Sequence, residues 1–405
     1  MSATPTAVNA PQSVRSTLIP VVAYSLIFTL LFFIPNLLPI YTGILIDIGG
    51  LGPEQAGAVN STYLGSMTVA TISATFLVSR IPPRTLAFAA ILLQAVGFGI
   101  PLLLGGGEAV FLGMAVAGLG NGALFAVTNA SGALEKHPVL VFGAGMVLTN
   151  VASAALPTPL YAAVGAFGLS GLFITPLAVI PLILFSLLVL PRKVVTEVAG
   201  TERQLRRTTS KSNVTAVLLL AGIFLSGLFT MVYYAYSDRL LVRAGFQMDA
   251  IALIFTVIYL TASLGGVVAM MMARWPKHLA VNLVVITSLL VLSVVLTTVF
   301  EGPTGVVIGA NVAGALSMLT MAIQPALAAQ LDLTGRLSAA ASGALIASMA
   351  LGPIIGGWIL ESFGFRGITI LTIVLGVGAV LAMGAVYLRH KTLMTKDKST
   401  IPTFS

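Results

Sequence analysis

The chain has 405 residues, of which 58% are apolar and 8% charged, with a net charge of +8. A water-soluble domain carries about 25% charged residues, so a soluble fold is excluded for want of polar surface, and an all-α membrane protein of spanning helices is expected. Cysteine is absent, which removes disulfides, thiolate metal sites and cysteine nucleophiles. The positive charge is confined to short segments between apolar runs, a topology signal and not a nucleic-acid footprint.

Residues 1–16 lack a cleavage-site pattern behind a short apolar core and read as a cytoplasmic tail. A spanning helix needs about 20 residues. Polar and Gly/Pro punctuation then divides the chain into twelve segments: 18–44, 55–79, 85–104, 109–134, 139–163, 168–190, 214–237, 249–272, 279–299, 305–330, 338–361 and 367–388. The one long polar interruption, 191–213, holds Arg192, Lys193, Arg203, Arg206, Arg207 and Lys211 against Glu197 and Glu202. It separates an expected six-helix bundle at 17–190 from a second at 214–388, with a cytoplasmic tail at 389–405. With the N-terminus inside, 17 of the 20 Lys and Arg residues fall on the cytoplasmic side, and only Arg239, Arg243 and Arg366 fall outside. That asymmetry predicts an inner (plasma) membrane protein with both termini cytoplasmic.

The two halves match in register. Gly113 and Gly118 correspond to Gly309 and Gly314, a shift of 309 − 113 = 196, and the same shift carries Pro157, Gly168 and Gly171 onto Pro353, Gly364 and Gly367. Six helices followed by six in the same orientation is a parallel repeat about an axis along the membrane normal. Two further features are the Pro-containing basic turns, 79–84 after the second segment and 273–278 after the eighth, and the run Gly352-Pro-Ile-Ile-Gly-Gly357. With this layout, the chain resembles the major facilitator superfamily of secondary transporters over nearly its whole length. The turn after the second segment keeps Arg80 and Arg84 of the family pattern, with Ser79 in place of its acid and Pro82 in place of its second glycine. The resemblance implies a monomeric transporter whose halves rock about a central site, with segments 1, 7 and 11 lining the cavity.

The middles of the apolar segments hold no ionisable residue, and no catalytic triad, metal cluster or phosphate loop is present. Neither an enzyme nor a cofactor is expected. Asn121 and Thr128 are seven residues apart, within roughly 20° of one helix face, and the repeat shift takes them to Ser317 and Gln324. Amides in hydrocarbon need partners. Those four residues either bridge helices or line a substrate cavity with Asn36, Tyr41, Tyr233 and Tyr234. Tyr24 and Tyr236 are further ring-and-hydroxyl side chains in segments 1 and 7. Asp47, Asp238 and Glu361 stand at the outer ends of segments 1, 7 and 11, and Arg239 follows Asp238 directly. These four are either solvated helix-end charges or a coupling group that takes up a proton or shuts the outer gate. At the other face, Arg80, Arg84, Glu135, Arg274, Lys277 and Asp332 are either topology charges among lipid headgroups or a cytoplasmic latch. The expected function is proton-coupled movement of a small organic solute by alternating access, with a lean toward export of a neutral or amphipathic compound. The alternatives are uptake of a nutrient or aromatic acid, with Arg239 as anion contact, and a transporter-fold sensor or assembly factor that moves nothing.

Overall fold

The computed structural model describes residues 14–135, 138–190, 213–272, 278–300, 302–332 and 336–399, and among them there is no strand. The first half contains α1 (Val14–Leu31), α2 (Phe33–Asp47), α3 (Pro53–Val78), α4 (Pro83–Leu104), α5 (Glu108–Gly132), α6 (Pro138–Ala154), α7 (Pro157–Phe167) and α8 (Gly171–Leu184). The second contains α9 (Asn213–Ala235), α10 (Ser237–Arg243), α11 (Met248–Met272), α12 (Leu279–Val299), α13 (Pro303–Leu331) and α14 (Arg336–Ser399). The described part of the expected N-terminal tail is already helical, and α14 continues beyond residue 388 into the expected C-terminal one.

Among the described residues ten helical stretches are long and apolar enough to cross a bilayer, and Val141–Ala154 is a shorter apolar helix. Helix continuity departs from the sequence punctuation. A short 3-10 turn joins α7 to α8 as one stretch, Pro157–Val189, while Ala340–Arg389 holds two predicted segments in 50 residues. The bends at both places fall on glycine. Gly168 has φ 60 and ψ −143, and Gly364, 196 positions later, has φ 64 and ψ −163. That conformation is open to glycine and strained for any residue with a Cβ.

Three predicted segments are broken inside. The first parts at Phe32, three residues before Pro35, because a proline lacks the N–H that the carbonyl four residues back requires. The fifth parts before Pro157 for the same reason. The seventh parts at Tyr236 (φ −117, ψ 14), where the sequence holds neither proline nor glycine.

Helix α2 is the centre of the molecule: Phe33 to Leu45 are buried, Asn36 excepted. A helix apolar all round belongs in a core. Around it, α5 packs on α3 and α4, and α13 packs on α11 and α12. The matched glycines hold these contacts. A Cβ on Gly118 would lie 2.3 Å from the Tyr63 carbonyl oxygen of α3, and one on Gly309 would lie 2.1 Å from the Thr297 hydroxyl of α12. The halves meet where α3 packs on α14, α6 and α7 on α11, and α2 on α9 and α10. Leu182, Phe185 and Leu188 in the first half, and Ile370, Val374 and Leu381 in the second, present exposed apolar faces, as a bilayer solvent requires.

Candidate functional site

The two ends of the helix bundle carry different charges. At the end that bears Asp47, Asp238 and Glu361, here the acidic end, the halves are tied together. Arg239 of α10 donates to both oxygens of Asp47 in α2, at 2.7 and 2.8 Å, and to both oxygens of Asp238, at 3.1 and 2.7 Å. Asp238 is 1% exposed. It lies past the apolar span Val214–Ala235. Burial pushes its carboxyl up to about 6, against the pull of the Arg239 guanidinium. Its carboxylate rests on the backbone of α2 at Gly43, where a Cβ would come within 1.8 Å of the oxygen.

Glu361 of α14 meets the first turn of α3. Its carboxylate accepts the Glu54 backbone N–H at 3.0 Å, a free donor at the positive end of a helix dipole. The Tyr236 hydroxyl lies 2.9 Å from the Pro53 carbonyl oxygen and 2.8 Å from that of Pro353. Gly57 makes this approach possible, since a Cβ there would lie 2.2 Å from the Pro353 oxygen and 2.4 Å from the Tyr236 hydroxyl.

A cavity of about 150 Å³ opens beside the ion cluster, with Tyr161, Phe246 and Ile251 in its walls. Deeper in, the two halves touch at Asn36. Its carbonyl oxygen accepts from the hydroxyls of Tyr234 and Tyr259, and its amide donates to the Ser153 hydroxyl at 2.8 Å. The Thr256 hydroxyl donates to the Ala154 carbonyl at 2.8 Å, also across the halves. A smaller space of about 20 Å³ lies within the second half, and Tyr233, Tyr234 and Ser317 line it together with Thr230 and Ser237.

The sequence-matched polar residues therefore separate. Asn121 and Thr128 are fully buried. The Asn121 amide donates to the Leu31 carbonyl at 2.9 Å, the oxygen that Pro35 leaves without a helical donor. Thr128 bonds its own helix at Leu124, and Tyr41 donates to the Leu172 carbonyl at 2.6 Å. Gln324 is 2% exposed and donates to the Ser226 hydroxyl at 2.7 Å. Only Ser317 of the four opens onto one of these two cavities.

At the opposite end Arg84 and Asp332 each bond a backbone group of their own half. Arg84 donates to the Leu190 carbonyl at 2.5 Å and to that of Leu188, closing the end of the sixth segment. Asp332 accepts the Leu337 N–H at 2.9 Å at the start of α14. Glu135 lies beside the Tyr24 hydroxyl; burial lifts its carboxyl above the usual range and the tyrosine pulls the other way. Arg80 is exposed. Arg274 and Lys277 lie outside the described residues.

No family model and no curated protein matches the sequence. Solved structures do. A POT family transporter in complex with a thioalcohol-conjugated peptide superposes with a TM-score of 0.70 at 14% identity, covering 92% of this chain and 96% of its own. A bacterial homologue of the human lysosomal transporter Spinster, inward-facing and occupied, gives 0.68 at 12%, covering 95% and 99%. The human organic anion transporter MFSD10 gives 0.66 at 14%, covering 92% and 100%. The chain has the major facilitator fold. These neighbours are transporters or homologues of one. In a chain of this fold, the sequence singled out Asp47, Asp238 and Arg239 without pairing Asp47 to the other two, and it assigned Tyr236 no contact. Tyr161, Tyr259, Gly43 and Gly57 were missed. The small residues carried no signal of their own, because 41 glycines are spread along the chain.

Proposed function

We propose that this protein is a secondary active transporter that moves a small organic solute by alternating access, here with its acidic end shut. The observation that carries the reading is the contrast between the ends. Arg239, Glu361 and Tyr236 (to the Pro53 carbonyl) bond across the halves at one end, while Arg84 and Asp332 bond within their halves at the other. Such contacts can be exchanged between ends when two rigid bundles rock. In this reading the bundle crosses an inner (plasma) membrane twelve times as two parallel six-helix repeats, with the acidic end outside and both termini in the cytoplasm. The similar turns at Gly168 and Gly364 support the repeat, and counting α6–α7 apart from α8, and α14 as two crossings, supports the number.

The lining at Tyr233, Tyr234 and Ser317 is uncharged, which favours a neutral or amphipathic solute over an acid; export is the direction we assign to it. Four of the five N–H groups of Arg239 are already engaged, so it has little left for an anion. Asp238, Asp47 and Glu361 are the groups through which protons couple to movement, and the protein works as a monomer. When the acidic end opens, Arg80 or Arg84 reaches Asp332, and Arg274 or Lys277 reaches Glu135.

Purified protein in liposomes, offered a panel of neutral, cationic and anionic aromatic solutes with and without a pH gradient, tests this. Gradient-driven uptake of a neutral or amphipathic member is expected. Flux restricted to anions would overturn the substrate class. No flux of any member, with thiol accessibility at single introduced cysteines unchanged by all of them, would point to a protein that transports nothing.

A further inference from the structure

The cavity at the acidic end has the properties of a ligand site that transport does not require. Its volume is about 150 Å³, comparable with an apolar cavity that takes up benzene. Its walls come from both halves, with Asp47 of α2 and Tyr161 of α7 on one side, and Asp238, Arg239, Phe246 and Ile251 on the other. Two carboxylates against one guanidinium leave the polar wall one negative charge in excess. Arg239 spends its donors on those carboxylates, whereas each oxygen of the 39% exposed Asp47 side chain takes one N–H from it and keeps a lone pair.

Tyr161 supplies the second, independent sign. It is 9% exposed and lines the cavity within electrostatic reach of Asp47, Asp238 and Arg239, and its hydroxyl makes no hydrogen bond among the described residues. The side chain is nine-tenths buried, yet its hydroxyl oxygen is not sealed off, so it stays open to a partner from the cavity. The remaining lining is apolar or aromatic, and the rings of Tyr161 and Phe246 offer π faces to a cation.

We propose that this cavity binds a small amphipathic ammonium ion, a protonated primary amine bearing an apolar group of ring size. The ammonium is held by Asp47 and the Tyr161 oxygen, and the apolar group lies against Phe246 and Ile251. Because the ligand touches both halves, it favours the state in which the acidic end is shut. The site is distinct from the central path, and it stands whether or not the protein transports.

The test uses the native absence of cysteine. Val242→Cys places a thiol in the cavity wall, Ser61→Cys places one at the seam where the Ile354 N–H meets Ser61 across the halves, and Gly106→Cys places one in an open turn at the same end. Each variant, in detergent, is labelled with a charged thiol reagent in the presence of benzylammonium, benzyl alcohol, benzoate or sodium ion. Benzylammonium should slow labelling at Val242→Cys and Ser61→Cys at least fivefold, leave Gly106→Cys unchanged, and lose its effect when Asp47→Asn is added. Equal protection by benzyl alcohol or benzoate, protection by sodium alone, or none at Val242→Cys would overturn the site. Protection at Val242→Cys without any at Ser61→Cys would overturn the closing role. If the Asp47→Asn variant does not fold, the comparison among the four solutes decides by itself.

Discussion

At the acidic end Arg239, Glu361 and Tyr236 bond across the two halves, to Asp47, the Glu54 N–H and the Pro53 carbonyl. At the opposite end Arg84 and Asp332 satisfy backbone groups of their own half. The same residue types therefore do different things according to whether two helix ends are pressed together. Where they are, a buried carboxylate such as Asp238 is tolerated, because a guanidinium completes its bonds and a glycine makes room for it. Where they are not, a charge closes the nearest helix end and stays at the surface.

The sharpest way to break this contrast is to deny the acidic end its close approach. Gly57→Leu would drive a side chain into the Pro353 carbonyl, a backbone atom that cannot step aside. Labelling of Ser61→Cys from the acidic end should then rise at least tenfold, since about 1.4 kcal/mol is enough for that. An unchanged rate would mean that the two ends do not differ in closure.

Removing the cation comes next. Arg239→Gln leaves Asp238 buried beside Asp47 without its partner, a defect of about 3–5 kcal/mol. A large fall in Tm is expected, and adding Asp238→Asn should recover most of it. Failure of that rescue would show that Arg239 acts by packing and not by charge.

Acid provides a gentler probe. The Asp238 carboxyl, facing Arg239, Asp47 and the Tyr161 hydroxyl, is raised by burial from 3.8 to about 6 in the shut state. The shut state thus holds the proton more tightly than an opened one with an ordinary carboxylate. Closure should strengthen as pH falls from about 6 toward 4, by up to about tenfold per pH unit, and weaken as pH rises through that window. Asp238→Asn should flatten the profile of Ser61→Cys labelling against pH.

Inside the first half, Asn121→Leu removes the donor to the Leu31 carbonyl and should cost about 1–3 kcal/mol, read as Tm. Adding Pro35→Ala supplies the missing N–H, so the pair should cost less than the sum of its parts. The smallest effect belongs to the opposite end. Asp332→Ala removes the carboxylate that accepts the Leu337 N–H at the start of α14, about 1 kcal/mol, and should leave acidic-end labelling untouched.

The amino-acid sequence alone determined that this chain lives in a bilayer, that it is helical, and where most segments turn. These follow from local causes: the length of apolar runs, the demand that every backbone group be bonded within its own helix, and the conformations reserved to glycine at Gly168 and Gly364. It also singled out Asp47, Asp238 and Glu361, with Arg239 beside Asp238, because they end the segments that the family resemblance places around the cavity. Tertiary structure decided what those residues meet. Asp47 and Arg239 are 192 positions apart, and nothing local links them. The break at Tyr236 has no proline or glycine to announce it; the hydroxyl placed between two carbonyls of different helices came only with packing. The matched polar stripe behaved likewise. Its register was readable, but Asn121 was drawn into a bond with a carbonyl that Pro35 had freed on another helix, and only the arrangement of helices put that oxygen within reach.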